Sequence, residues 1–142
     1  MNAQHNVGAA MAEEVEHTAD RAFRVRGRNP AELLERAAQA MVALDGEPPA
    51  SECFIRRIIE VEGSDRETLL VNWLNEILYL EQTRSEFYDH FLLSDVTENH
   101  LRAQLYGRQL DHSVTSVKAV TFHDLAVKEN PEGLEATIVV DV

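Results

Sequence analysis

The chain carries one cysteine, Cys53, so it can form no internal disulfide and cannot build a zinc site from several thiolates. It has no apolar run approaching the ~18 residues that a membrane-spanning helix needs. Its most apolar segment, around Trp73, is interrupted by Asn72, Asn75 and Glu76. Positive charge is scarce: 13 Lys and Arg against 25 Asp and Glu leave a net charge of −12. Such a field repels a phosphate backbone and argues against tight direct binding of nucleic acid. The glycine-rich phosphate loop, the Gly-x-Ser-x-Gly elbow, the His-Glu-x-x-His helix and the Cys-x-x-Cys pair are all absent, which removes the common nucleotide, hydrolase and metalloprotease chemistries. Residues 1–12 lack the basic start and apolar core of a secretory signal. With one cysteine and no such signal, a reducing, cytoplasmic setting is expected and no membrane association.

What is present suits one folded domain. The 142 residues are 44% apolar and 27% charged, enough to bury a core without covalent help. We expect a flexible tail over residues 1–13 and a domain over 14–142. Asn29-Pro30-Ala31-Glu32 places an N-cap before a proline at the first helical position, and Leu33, Leu34, Ala37, Ala38, Met41 and Val42 recur at helical spacing until Asp45-Gly46. Ser64-Asp65-Arg66-Glu67 reads as a capping box before a second helix with Leu69, Leu70, Trp73, Leu74, Ile77 and Leu78, running to about Gln82.

Elsewhere the pattern has period two. Leu101, Ala103 and Leu105 oppose Arg102, Gln104 and Tyr106; residues 117–122 alternate similarly; Leu134, Ala136, Ile138 and Val140 form one face of a last strand that turns Thr137, Val139 and Asp141 the other way. Segments 14–28, 53–62 and 87–96 supply further strands, and Asn130-Pro131-Glu132-Gly133 a turn. The order predicts an α+β fold with two helices packed on one face of a largely antiparallel sheet. In a strand, Arg24, Arg26 and Arg28 share a face opposite Phe23 and Val25, and we read that face as solvated. Cys53 opens an apolar run with Phe54 and Ile55 and is expected to be packed inside.

The polar clusters that remain are Glu16-His17-Thr18-Ala19-Asp20, Asp111-His112, Lys118, His123 and the penultimate Asp141. A carboxylate one residue from the chain's own terminal carboxylate gathers negative charge that a hard cation relieves, and oxygen ligands suit Ca²⁺, Mg²⁺ or Mn²⁺. A solvated terminal acid is the alternative. His17 and Asp20 fit either ligation or a capping turn, and His123 fits either a base or an ordinary strand histidine. Asp20, Asp141 and His123 together also admit a metal-dependent hydrolase or nuclease.

Four blocks of this sequence, in order, resemble the archease family. They are Glu16-His17-Thr18-Ala19-Asp20; the run from Leu69 to Tyr79; Gly107 with Asp111-His112 and Val117-Lys118-Ala119-Val120-Thr121-Phe122-His123; and the ending Ala136-Thr137-Ile138-Val139-Val140-Asp141-Val142. The resemblance implies an auxiliary protein, itself without catalytic turnover, for the RtcB-type RNA ligase, promoting the ligase's guanylylated histidine intermediate and sustaining turnover in tRNA splicing and RNA repair. It also implies a metal site, with calcium first and magnesium or manganese as alternatives, formed by Asp20, Asp141 and the backbone carbonyl of Val142. Lys118 matches the family's lysine and is implied in ligase activation, with His17, Asp111 and His123 in support. A more general chaperone of protein partners is a further alternative. The sequence departs from the family's pattern at Arg21 and Ala22 after the aspartate, at Asn72 in the second helix and at Asp124, where glycine is frequent.

Overall fold

In the computed structural model, residues 12–16 and 21–142 are described. Eight strands and two helices follow in the order β1 (Ala12–Glu16), β2 (Arg21–Gly27), α1 (Pro30–Ala43), β3 (Phe54–Glu62), α2 (Arg66–Arg84), β4 (Glu86–Ser94), β5 (His100–Gln109), β6 (Ala119–Thr121), β7 (Val127–Asn130) and β8 (Gly133–Asp141). The α+β class and the antiparallel pairing are as the sequence predicts. Among the described residues, pairing extends to Ala12, which lies opposite Val25.

The strands form two sheets rather than one. A five-stranded sheet runs β1-β2-β8-β6, with β7 also paired to β8, and a three-stranded sheet runs β3-β5-β4. Periodicity tells which face of a strand is buried but not which strand lies beside it, so the division was not visible in the pattern. One core joins both sheets: Phe23, Ile138 and Val140 of the first are buried in the same cluster as Phe91, Leu101 and Leu105 of the second. α1 packs on β2 and β4, and α2 on β3, β4 and β6, so each helix touches strands of both sheets.

Local chemistry explains the helix bounds. Asn29 accepts the Glu32 N–H through its side chain at 2.9 Å, and Pro30 opens α1 as expected. In α2 the cap is Asp65 and not Ser64, its Oδ1 accepting the Thr68 N–H at 2.7 Å. Glu67, the expected capping-box partner of Ser64, instead accepts the Val127 N–H at 2.8 Å. Trp73 is fully buried, meets Phe91 edge-on at 6.0 Å between ring centroids, and donates its Nε1–H to the Leu34 carbonyl at 2.9 Å.

Three other expectations are corrected. Segment 14–28 is not one strand: β1 and β2 pair with each other, Glu16 opposite Arg21. The strand expected over 117–122 is confined to Ala119–Thr121. Cys53 is exposed, because the residues before β3 run along the surface and put Phe54 outside as well, 72% exposed. The arginine face is exposed or half-buried as read, and it carries its own counter-charges: Arg24 and Arg26 pair with Glu135 at 3.4 and 3.2 Å, and Arg28 with Glu32 at 3.0 Å.

Candidate functional site

β8 occupies the middle of the five-stranded sheet, between β2 and β6, and ends at Asp141. Leu134, Ala136, Ile138 and Val140 are buried on one face, the alternation breaks at Val139, which is buried too, and Asp141 and Val142 are exposed. On one side β6 places Ala119 opposite Asp141, and the Lys118 N–H donates to the Asp141 carbonyl at 2.7 Å. On the other side β2 places Arg21 opposite Val140. The sequence neighbours of that last pair are Asp20 and Asp141. Asp20 and His17 themselves lie outside the described residues.

The end of β8 therefore presents an exposed carboxylate, an exposed terminal residue and an exposed lysine whose backbone is bonded to the aspartate. Oxygens of Asp141 and Val142 are hard donors of the type a divalent cation takes. Among the described residues no group of three or more His, Cys, Asp or Glu side chains is gathered as a metal cluster.

The supporting residues are spread out. His123 is exposed beyond Thr121, at the end of β6 away from Asp141, with its Nε2 3.2 Å from Asp124 Oδ2. Asp124 has φ 51°, the left-handed region that glycine tolerates best, which accounts physically for a glycine preference at that position. Asp111 and His112 are exposed in the loop leaving β5, on a cleft shared with Pro49, Ser51 and Val114. Asn72 donates its side-chain N–H to the Glu62 carbonyl at 2.8 Å and so closes the end of β3.

Residues that the sequence reading passed over hold the lysine strand. Asn75 of α2 donates Nδ2–H to the Val120 carbonyl at 3.1 Å and accepts the Val120 N–H at 2.9 Å. Gln82 donates Nε2–H to the carbonyls of Val117 and Lys118 at 3.2 and 3.3 Å. Their only sequence signal is an amide at two positions seven apart on a helix that is otherwise apolar over much of its surface.

Two buried acids differ in setting. Glu81 is 2% exposed; burial, slightly eased by the Tyr88 N–H it accepts and reinforced by nearby Asp45, pushes its carboxyl up to about 8. Glu86 is also pushed up by burial, but hydrogen bonds from Arg57 and Tyr88 outweigh this and hold it below the usual range.

A two-helix, two-sheet α+β domain that presents an acidic strand terminus beside a tethered lysine is the class of protein defined here. The model of the Archease protein family matches residues 13–142. The chain belongs to the archease family. It is 32% identical to the protein archease of Methanosarcina barkeri over 140 residues, covering 92% of this chain and 94% of that one. It is 34% identical to the protein archease of Methanopyrus kandleri, covering 92% and 98%. The solution structure of Methanobacterium thermoautotrophicum protein 1598 superposes with a TM-score of 0.66 at 27% identity, covering 92% of this chain and 98% of that one.

Proposed function

We propose that this chain is a protein activator of an RtcB-type RNA ligase, raising formation of the guanylylated ligase and its repeated turnover in tRNA splicing and RNA repair in the cytoplasm. The observation that carries the reading is the bonding of Lys118 to Asp141 at an exposed strand end, because it unites two separate sequence blocks of the family in one place. A net charge of −12 supports a partner role: an acidic protein is poorly suited to hold RNA but well suited to dock on a basic, phosphate-handling enzyme.

In this reading Asp141, the Val142 carbonyl and Asp20 hold a divalent cation, calcium first and magnesium or manganese as alternatives. The donor chemistry of the two described residues fits such an ion. Bound there, the cation supplies positive charge for carboxylate or phosphate oxygens. Lys118 adds a mobile point charge at the same rim. A hydrolytic centre using His123 is not favoured, since that residue stands at the opposite end of β6 and pairs with Asp124.

The test incubates the purified protein with RNA and Mn²⁺ or Mg²⁺, alone and with its cognate ligase and GTP. No RNA cleavage by the protein alone is expected, and more guanylylated ligase in its presence. Cleavage by the protein alone that disappears in Asp141→Ala would overturn it.

A further inference from the structure

Lysine has four rotatable side-chain bonds, so a fold can place its charge only by fixing the backbone from which it springs. Around Lys118 that fixing is unusual. β6 is three residues long and, among the described residues, pairs with β8 alone, too little ladder to hold a segment by itself. Side chains supply what the ladder lacks. The Ser116 N–H and Oγ both reach Asp45 Oδ1, at 2.7 and 3.0 Å. The Val117 and Lys118 carbonyls accept from Gln82, and both backbone groups of Val120 are bonded to Asn75.

Both backbone polar groups of Lys118 are thus engaged, its N–H with the Asp141 carbonyl and its carbonyl with Gln82. Asn75 and Gln82 stand seven residues apart, two turns along one face of α2. Asparagine is a poor helix-interior residue, because its side chain competes for backbone hydrogen bonds. Here that competing capacity is directed outward, onto another segment, and it satisfies an N–H and a carbonyl at once.

We infer that Asn75 and Gln82 are positioning residues: they form a side-chain clamp on residues 117–120, across the start of β6, that sets Lys118 against the Asp141 terminus in the orientation a partner recognises. This rests on the reading of Lys118 as an activation residue. The clamp also gives α2 a task beyond filling the core, since its buried side carries Trp73, Leu74 and Ile77 while the amides grip the neighbouring strand.

The experiment is a double-mutant cycle with ligase, GTP and Mn²⁺, reading the maximal rate of ligase guanylylation and the half-saturating concentration of this protein. Gln82 is exposed, so Gln82→Ala keeps the fold and serves as the primary variant, with Asn75→Ala beside it. Each is expected to lower the maximal rate about fivefold, the equivalent of one net hydrogen bond. Neither lowers it further in a Lys118→Ala background. Equal losses in both backgrounds, or no loss, would overturn the inference.

Amide hydrogen exchange separates the clamp from the reading it rests on. Faster exchange at Val120 in Asn75→Ala is expected whatever the ligase does, and unchanged exchange there shows that the clamp is absent. Full stimulation by Lys118→Ala shows instead that the functional reading of the lysine has failed, and with it the positioning role.

Discussion

The backbone N–H of Lys118 donates to the carbonyl of Asp141 at 2.7 Å, joining the residue just before the short strand β6 to the last residue of β8. The bond uses main-chain atoms, so the two side chains remain outside it and are exposed. Lys118→Ala and Asp141→Ala should therefore each change stability by no more than about 0.5 kcal/mol, as surface substitutions do. Denaturant unfolding measures this, and a loss of several kcal/mol in either variant would show that the terminus is part of the scaffold.

Glu81 gives the protein a pH dependence with a definite sign. Its folded-state pKa of about 8 lies above the ordinary 4.5, so between those values the folded state binds more protons than the unfolded one. Stability attributable to this group falls as pH rises from about 4.5 to about 8 and is level above that. Asp45, also raised by burial, acts in the same direction. Glu81→Gln removes the cost of keeping the carboxyl protonated, and we expect it to raise stability at pH 8 by about 1–3 kcal/mol and to flatten the profile. Chemical denaturation at pH 5, 6, 7 and 8 checks it; an equal effect at every pH contradicts it.

Two glycines are held by different physics. A Cβ on Gly107 would lie 1.8 Å from the Phe87 carbonyl oxygen, beside the irregular pairing between Tyr88 and His90, and backbone cannot yield. Gly46 has open space but a φ of 89°. Gly107→Ala is expected to cost about 3 kcal/mol or more, as severe overpacking does. Gly46→Ala should cost about 1 kcal/mol from backbone strain alone. Unfolding midpoints of the two variants rank them, and the reverse order would be contrary to the packing described.

Cys53 is free and exposed at the start of β3. A thiol reagent should titrate one group in native buffer, with little acceleration on adding denaturant. A thiol that reacts only after unfolding would restore the buried placement that the sequence suggested.

Much of the fold was legible where local chemistry decides it. Asn29-Pro30 fixed the start of α1, the period-two run from Leu134 to Val140 fixed the last strand, and Asn130 and Gly133 bracket the hairpin between β7 and β8. What local patterning could not carry was partnership. Nothing in residues 21–27 shows that they pair with residues 134–140, 113 positions on, or that residues 54–62 belong to another sheet. The cap is Asp65, one residue on from Ser64, and Glu67 serves Val127, a contact distant in sequence.

The candidate site was legible in part. The family blocks named Lys118 and Asp141, and the register of β6 on β8 brings them together. Asn75 and Gln82 were hidden because an amide on a helix looks like surface until the strand it grips is placed beside it. Arg21, a departure from the family's pattern, follows Asp20 in sequence and lies opposite Val140, the residue before Asp141.

The central claim is that the rim bearing Lys118 and Asp141 acts on a partner ligase. The most direct measurement is the yield of guanylylated ligase, with GTP and Mn²⁺, in the presence of the wild-type protein or of folded Asp141→Ala. A clear rise is expected with the wild type and loss of most of that rise, tenfold or about 1.4 kcal/mol, with the variant. Equal yields with wild type, with Asp141→Ala and with no added protein would contradict it.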